Sequence, residues 1–216
     1  MVEIPLELKL KRQIHKDLAR AQDMLVEIVY SLAENAVLHG GTAIWRCYHG
    51  NRFSEDLDFY LIPPKDFAER FKNHLRAQNA IIEKYKQTEN AIYAKISFNG
   101  TTVRFEAALR KPAHSISCTY EKIDGTFIDI LTLSPEDLLI EKLTAYQNRM
   151  LIRDIYDVYH LGRIASLNKN QTIKIRAALE SLPKPNDEKI LKTLILSGVA
   201  PSYAQMVNEI RRRCVS

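Results

Sequence analysis

The spacing of apolar residues predicts that the chain opens with helix. Within residues 6–34, leucine, isoleucine and alanine recur every three or four positions with lysine and arginine between them, the pattern of one amphipathic helix or two. The short apolar stretch 36–39 runs into Gly40-Gly41, which indicates a strand that ends at a tight turn. Residues 42–48 again show helical spacing, so a strand–turn–helix unit is expected around the two glycines.

Alternating apolar and polar residues then predict a small sheet. Asn99-Gly100, between two apolar runs, is a strong β-hairpin signal because this dipeptide adopts the tight turn that pairs two strands. Pro63-Pro64 ends the strand that comes before it. The predicted elements are a strand over 57–62, a helix over 65–77, hairpin strands over 91–98 and 103–109, and a short strand over 127–131.

The pattern changes to helices alone after residue 131. Ser134 and Pro135 are typical of a helix start, where a serine caps the first turn and a proline takes the first helical position. We therefore expect an α/β (α+β) protein, with a mixed α/β domain over 1–131 and a helical domain over 132–216. The helices predicted in the second domain are 135–149, 153–165, 172–181, 187–197 and 203–213.

Composition is typical of an ordinary soluble globular protein. Of the 216 residues, 46% are hydrophobic and 26% are charged, which excludes a disordered chain, a collagen-like chain and a coiled coil. No apolar run approaches the roughly 20 residues of a membrane helix, so no membrane partner is expected. The net charge is +5, with most of the excess after residue 131. This excess either serves solubility alone or favours a polyanionic partner, namely a nucleotide, RNA or DNA.

The cysteines and the first residues predict a compartment. Cys47, Cys118 and Cys214 are odd in number, widely spaced and outside any Cys-x-x-Cys motif, so free thiols in a reducing environment are expected. The segment from Met1 to Glu7 shows neither the basic leader nor the apolar stretch of a signal peptide. A cytoplasmic protein is expected.

One segment has the residue types that bind phosphate and metal. Gly40, Gly41 and Thr42 stand where a strand ends and a helix begins, so backbone N–H groups and a hydroxyl can approach a phosphate there. Asp56 and Asp58 open the next strand and share a face, because alternate residues of a strand point the same way. Carboxylates this close repel each other unless a cation lies between them, and Mg²⁺ suits carboxylates together with substrate phosphates.

Glu106 offers a third carboxylate within a later strand pattern. An acidic residue between apolar neighbours in a strand needs a partner or a function. Beside Asp56 and Asp58 it would complete a triad able to hold two metal ions, an arrangement suited to phosphoryl transfer. The competing interpretation is an ordinary Gly-Gly-Thr turn followed by a solvated or capping Asp-x-Asp.

A second cluster of charged residues falls on two predicted helices. Lys142 and Arg149 lie about two helical turns apart and share a face, while Asp154 and Asp157 share a face of the next helix. Two interpretations are open. These residues form a salt-bridge network between the helices, or Lys142 and Arg149 neutralise a triphosphate while one of the aspartates orients Lys142 or the acceptor hydroxyl.

The two clusters resemble the motifs of the nucleotidyltransferase superfamily, and within it the AbiEii/AbiGii abortive-infection toxins and the MenT-like enzymes. The superfamily pattern is Gly-Gly, a spacer, Asp-x-Asp and a later strand acid; the toxins add Arg-x-Ser-x-Asp-x-Asp-Phe and a Lys…Arg-Asp motif. The resemblance spans about residues 36–161. The matching residues are Gly40, Gly41, Arg52, Ser54, Asp56, Asp58, Phe59, Glu106, Lys142, Arg153 and Asp154.

The resemblance implies a nucleotidyltransferase-like small mixed sheet flanked by helices, with a C-terminal helical domain that completes the nucleotide site. It implies transfer of a nucleoside monophosphate from an NTP to RNA, at a tRNA 3′ end, with Mg²⁺ or Mn²⁺ as cofactor and a separately encoded antitoxin as partner. Arg52 either contacts phosphate or anchors its loop. The implied roles are metal binding for Asp56, Asp58 and Glu106, nucleotide binding for Gly40, Gly41, Thr42, Arg52, Ser54, Lys142 and Arg149, and catalysis for Asp56, Asp58, Lys142, Asp154 and Asp157.

Two other functions stay open from the sequence. Nucleotide transfer to a protein hydroxyl would use the same residues, and a non-catalytic relative would bind nucleotide or RNA without turnover. The presence of both Asp56 and Asp58 argues against the second. An RNA acceptor is expected on the helical domain, at Lys189, Lys192 and Arg211-Arg212-Arg213, unless these form a solvated helix face.

Overall fold

The computed structural model describes residues 5–214, which form two compact units. The sheet unit comprises residues 5–47 and Ser54–Thr132, and the helical unit comprises Tyr48–Phe53 and residues 133–214. The predicted division placed 48–53 in the first domain, and here the structure differs. Arg52 forms an antiparallel bridge with Ile195, and the Phe53 N–H donates to the Leu194 carbonyl at 3.3 Å, so backbone pairing holds this segment in the helical unit.

The sheet unit has helices on a mixed sheet, which confirms the expected α/β class. The predicted N-terminal helical stretch is two helices, since the chain is extended at Leu10 and Arg12 between them. The elements are α1 (Leu6–Lys9), α2 (Gln13–Leu32), β1 (Val37–His39), α3 (Gly40–Cys47), β2 (Leu57–Tyr60), α4 (Phe67–Ala77), β3 (Ile81–Gln87), β4 (Ala91–Phe98), β5 (Thr101–Ala108), β6 (Ile116–Glu121) and β7 (Phe127–Thr132).

The seven strands lie in the order β3-β4-β5-β2-β1-β7-β6. The predicted hairpin is confirmed as β4 and β5, which pair antiparallel across Asn99-Gly100. β5 then lies parallel to β2, and β2 lies antiparallel to β1. This order places β2, which carries Asp58 of the Asp-x-Asp motif, between β1, which ends at His39, and β5, which carries Glu106.

Two strands, β3 and β6, were not predicted from the sequence, and both lie at the edges of the sheet. An edge strand has one neighbour and is often blunted with charged side chains, so its apolar alternation is weak. In β3 no residue is buried, and its sequence is Ile-Ile-Glu-Lys-Tyr-Lys-Gln. The central strands show the expected alternation instead; β5 alternates strictly between buried and exposed positions from Thr101 to Ala107.

The core of the sheet unit lies between one face of the sheet and helices α2 and α4. Phe71 of α4 and Phe105 of β5 pack with ring centroids 5.2 Å apart, and Phe59 of β2 contacts Phe105 at 5.6 Å. Leu25 and Val26 of α2 are fully buried. Because residues alternate between faces, the polar positions of β2, β4 and β5 point to the opposite face.

The helical unit contains α5 (Pro135–Arg149), α6 (Ile152–Leu161), α7 (Lys169–Glu180), a 3-10 turn (Glu188–Ile190), α8 (Leu191–Leu194) and α9 (Tyr203–Cys214). The predicted start of α5 is confirmed, since the Ser134 hydroxyl oxygen accepts a hydrogen bond from the Asp137 N–H at 3.2 Å and Pro135 is the first helical residue. The helix predicted over 187–197 is shorter, because Ile195 leaves it to pair with Arg52. Within residues 5–214, no helix combines the length and the apolar character needed to cross a bilayer.

Candidate active site

The predicted strand–turn–helix unit is present in the sheet unit. β1 ends at His39, and α3 begins at Gly40 with φ of +72°, a conformation that side chains other than glycine rarely adopt. A Cβ at this position would overlap Asp58 Oδ2 and lie 3.1 Å from Asp58 Cγ. Glycine at position 40 therefore leaves the space that the Asp58 carboxylate occupies.

Thr42 and Ser54 hold the loop before β2. The buried Thr42 hydroxyl donates to the Asp56 carbonyl at 2.5 Å, and the Gln22 side-chain amide of α2 donates to the Ser54 carbonyl at 2.8 Å. In this structure the one proton of the Thr42 hydroxyl is donated to the Asp56 carbonyl, and contact of Thr42 with a phosphate stays a prediction. Thr42 positions the first aspartate, and Gln22 is a positioning residue that the sequence analysis missed.

Asp58 and Glu106 lie side by side on parallel strands. Their Cα atoms are register partners of β2 and β5, and His39 is the partner of Asp58 on its other side. Burial raises the pKa of Glu106, and the carboxylates of Asp58 and Asp56 raise that pKa further. The three predicted metal ligands are thus close enough to repel one another.

Arg104, two residues before Glu106, binds the third of these carboxylates. Its Nε and Nη2 donate to the two oxygens of Asp56 at 2.7 and 2.6 Å. In the described part of the chain, no three His, Cys, Asp or Glu side chains are gathered as a metal cluster. Arg104 thus binds both oxygens of Asp56 in this structure, and a metal site shared by Asp56, Asp58 and Glu106 is not formed among the described residues.

The donor set nevertheless fits a hard divalent cation. Carboxylate oxygens are the ligands that Mg²⁺ and Mn²⁺ prefer. The repulsion that raises the pKa of Glu106 is the charge that such a cation would neutralise. The absence of a Cβ at Gly40 keeps the space around Asp58 open. Metal binding by Asp56, Asp58 and Glu106 stays a prediction.

The helical unit holds the second group of predicted residues in a buried ion-pair network. Arg52 donates through Nε and Nη2 to the two oxygens of Asp157 at 2.9 and 2.7 Å, and its Nη1 donates to the Phe53 carbonyl at 2.9 Å. Of the two roles considered for Arg52, the structure shows the anchor. Burial opposes ionisation of Asp157, but Arg52 and Lys142 outweigh it and lower the pKa of Asp157 to about 2.

Lys142 and Arg149 complete this network between α5 and α6. Lys142 Nζ lies 2.9 Å from Asp157 Oδ2 and 3.8 Å from Asp154 Oδ1, and Arg149 binds both oxygens of Asp154 at 2.7 Å. This arrangement is the salt-bridge network that the sequence left as one of two interpretations. A role for Lys142 and Arg149 toward a triphosphate stays a prediction.

Arg104 is the other functional candidate that the sequence analysis missed. Part of the evidence for Arg104 is visible in the sequence, since Arg104 and Glu106 are two residues apart in a strand pattern and must share a face. The position of that face beside Asp56 depends on the parallel pairing of β5 with β2, which local patterns do not reveal.

A protein-family model now identifies the chain. The model described as the nucleotidyl transferase AbiEii toxin of type IV toxin–antitoxin systems matches residues 23–212. The chain belongs to this family. It is therefore a nucleotidyltransferase of the AbiEii toxin family, as the motifs predicted. No curated protein matches the chain.

Two solved structures share the fold of this AbiEii family member. JHP933 from Helicobacter pylori superposes with a TM-score of 0.65 at 19% identity, over 95% of this chain and 91% of that one. The nucleotidyltransferase toxin MenT4 from Mycobacterium tuberculosis H37Rv superposes with a TM-score of 0.64 at 18% identity, over 98% of this chain and 89% of that one. The predicted nucleotidyltransferase-like fold is confirmed over nearly the whole chain.

Proposed function

We propose that this chain transfers a nucleoside monophosphate from an NTP to the 3′ end of a tRNA and releases pyrophosphate, with Mg²⁺ or Mn²⁺ as cofactor. The observation that carries the proposal is the pairing of Asp58 with Glu106, in register on adjacent parallel strands, beside the Gly40 turn. Carboxylates in this position suit a metal-assisted transfer of a phosphoryl group. The proposed substrates, an NTP and a tRNA, agree with the expected cytoplasmic location of the protein.

The residues of the sheet unit have distinct roles in this proposal. Asp56, Asp58 and Glu106 would hold the divalent cation, which would neutralise charge on the triphosphate and on the attacking oxygen. Thr42 fixes the Asp56 backbone, and Gly40 leaves room for Asp58. The N–H groups of Gly40 and Gly41, at the start of α3, face the phosphates in this proposal, where the helix N-terminus favours negative charge.

The reaction itself replaces a phosphoanhydride bond of the NTP with a phosphodiester bond to the RNA. The 3′-hydroxyl oxygen attacks the α-phosphorus, the bond from that phosphorus to the bridging oxygen of the β-phosphate breaks, and pyrophosphate leaves. The hydroxyl proton passes to a carboxylate oxygen of Glu106. In the helical unit, the Arg149 side chain is partly exposed while Lys142 is buried, so Arg149 is the more accessible of the two predicted phosphate-binding cations.

A transfer assay tests the proposal directly. The purified chain is incubated with Mg²⁺, total tRNA and each α-³²P-labelled NTP in turn, with Asp56→Ala as the control variant. We expect label on RNA that depends on Asp56 and on the divalent cation. Label on protein would replace the RNA acceptor with a protein hydroxyl. No label despite measurable NTP binding would contradict the proposed transfer.

The toxin family also implies an antitoxin partner. We propose that transfer to tRNA removes acceptor ends from translation, so that expression of the chain arrests growth unless its antitoxin is present. Growth curves of cells that express the wild type or Asp58→Ala check this. Equal growth of the two strains would contradict growth arrest by this activity.

A further inference from the structure

The sheet face that carries the carboxylates continues outward across β4 and β3. Tyr93 of β4 is the register partner of Glu106, and Lys95 is the partner of Arg104. Partners in register lie on the same face of a sheet, with their side chains next to each other. The polar row of Asp58 and Glu106 therefore extends to Tyr93.

Lysines of the edge strand β3 extend two rows of register partners, the row of Glu106 and Tyr93 and the row of Arg104 and Lys95. Lys86 is the register partner of Tyr93, and Lys84 is the partner of Lys95. Neighbouring strands are about 4.8 Å apart, so Lys86 lies roughly 10 Å from Glu106 across the sheet. We call Lys84, Lys86, Tyr93 and Lys95 the lysine–tyrosine patch.

The patch is open to solvent, whereas the other face of the same strands is covered. Lys84, Lys86 and Lys95 are exposed, and Tyr93 is partly exposed. Ile92 and Ile96, which alternate with the patch residues of β4, are buried in the core below the sheet. The strands thus present an apolar face to the helices and a polar face to water, on which the Glu83 carboxylate accepts a hydrogen bond from the Thr102 hydroxyl at 2.9 Å.

The chemistry of the patch suits a nucleic acid strand. Lys84 Nζ lies over the Tyr93 ring, 5.3 Å from its centroid, so a cation and an aromatic ring are already in contact on this surface. Within residues 5–214, no carboxylate forms an ion pair with Lys84, Lys86 or Lys95. On a sheet surface, lysines can bind the phosphates of a strand while an aromatic ring beside them stacks on an unpaired base.

The triple-arginine segment of the helical unit offers a poorer surface. Arg212 and Arg213 both bind the Glu209 carboxylate of the same helix, and Arg211 donates to the Leu179 carbonyl at 3.1 Å. Part of the positive charge that the sequence analysis assigned to the acceptor is therefore neutralised within the helical unit. The three lysines of the lysine–tyrosine patch form no such ion pair among the described residues.

We propose that the lysine–tyrosine patch binds unpaired nucleotides next to the acceptor 3′ hydroxyl, with the lysines on phosphates and Tyr93 stacked on a base. This inference rests on the proposed RNA acceptor and adds the surface that recognises it. The patch adjoins Glu106 in the sheet, so a strand bound there would lead its terminal nucleotide toward the carboxylates. A double-stranded end would not expose a base for Tyr93 to stack on.

RNA affinity and its salt dependence test the patch. Binding of a single-stranded oligoribonucleotide ending in CCA is measured by fluorescence anisotropy at several salt concentrations, beside the same strand in a blunt duplex. We expect Lys84→Glu/Lys95→Glu to weaken single-strand binding at least tenfold and to flatten the dependence of affinity on salt. We expect Tyr93→Ala to weaken binding roughly tenfold, while Tyr93→Phe keeps it.

Matched controls separate the patch from net charge and from catalysis. Lys169→Glu/Lys174→Glu changes two exposed lysines of α7 by the same charge and should leave affinity within about twofold of the wild type. In the transfer assay, the patch variants should raise the KM for RNA and keep the KM for NTP. Circular dichroism and thermal melts check that each variant is folded.

The outcomes distinguish the patch from the proposed function. Wild-type transfer to RNA with equal RNA affinity and salt dependence in the patch variant and the α7 control would overturn the patch. Tighter binding of the blunt duplex than of the single strand would overturn recognition of unpaired nucleotides. Failure of the wild type to transfer label to any RNA would overturn the proposed function itself, and with it the patch.

Discussion

An aspartate in each unit binds an arginine through two hydrogen bonds, but the two pairs differ in their access to water. In the sheet unit, the Asp56 and Arg104 side chains are 24% and 47% exposed. In the helical unit, the Asp157 and Arg52 side chains are 3% and 6% exposed. The bond lengths are similar, from 2.6 to 2.9 Å.

This difference in exposure separates a carboxylate that can exchange partners from one that cannot. An exposed ion pair contributes about 0–1 kcal/mol, because water replaces the lost partner. Breaking a buried pair costs several kcal/mol, because the remaining charge stays buried without water or another partner to compensate it. Asp56 is therefore available to a cation, while Asp157 is first a determinant of stability. From the sequence, both aspartates are candidate catalytic residues, and the motifs do not distinguish them by exposure.

The largest expected effect is on stability, from Asp157→Asn. The substitution leaves Arg52 and Lys142 buried without their shared carboxylate, so the free energy of unfolding should fall by about 3–5 kcal/mol. Urea titrations followed by circular dichroism measure this. Asp66→Asn, at an exposed helix start, is the control and should change stability by less than about 0.5 kcal/mol. A stable but inactive Asp157→Asn would instead assign Asp157 to the chemistry.

Asp58→Asn should show the opposite result, a loss of activity with little change in stability. The isosteric amide keeps the shape beside Gly40 but removes the charge that the proposed cation needs. Transfer activity should fall by about 100- to 1,000-fold, the range seen when one electrostatic group of an active site is removed. Initial rates with labelled NTP measure this, with Asp66→Asn again as control. Unchanged turnover would remove Asp58 from the site.

Acid should weaken the helical unit through Asp157. Its pKa is lowered from 3.8 to about 2 in the folded protein, so its contribution to stability is complete above about pH 5 and is lost as the pH falls toward 2. The lost contribution is about 2 kcal/mol. The difference in unfolding free energy between wild type and Asp157→Asn should therefore narrow between pH 5 and pH 2.5. A constant difference across this range would show that Asp157 has an ordinary pKa.

Gly40→Ala tests the space around Asp58. Its positive φ makes any side chain costly by about 1–2 kcal/mol, and the new Cβ would also displace the Asp58 carboxylate. Gly100→Ala is a matched control, since Gly100 has φ of +79° and, among the described residues, no atom within 4 Å of an added Cβ. Both variants should lose similar stability in urea, but Gly40→Ala alone should lose transfer activity, about tenfold. Equal activity in the two would contradict the need for this space.

Local patterns predicted the elements whose apolar periodicity is set by burial on one side. The hairpin around Asn99-Gly100, the start of α5 at Ser134 and the strand of Asp56 and Asp58 were all readable, because turn chemistry and alternation are local. The two edge strands were missed because their side chains are mostly exposed, so burial imposes little pattern.

The pairing of charges could be predicted only in part. The four charged residues on α5 and α6 were recognised as a candidate network because helical spacing places them on faces of neighbouring helices. Arg104 was not, because its approach to Asp56 depends on a parallel strand pairing between residues 48 positions apart. The hydrogen bond from the Thr42 hydroxyl to the Asp56 carbonyl likewise depends on the conformation of the loop, which the spacing of residues does not predict.

The smallest expected effect on stability belongs to Arg104→Gln. Because the Asp56–Arg104 pair is exposed, its loss should lower the free energy of unfolding by less than about 1 kcal/mol, and by less still in 0.5 M NaCl. The same substitution frees the Asp56 carboxylate, so Mn²⁺ binding, measured by electron paramagnetic resonance, should tighten. Arg70→Gln, which breaks the exposed pair with Asp66, should leave Mn²⁺ affinity unchanged. If Arg104→Gln also left Mn²⁺ affinity unchanged, Arg104 and the cation would not compete for Asp56. If it destabilised the protein as strongly as Asp157→Asn, the contrast between the exposed and the buried ion pair would be wrong.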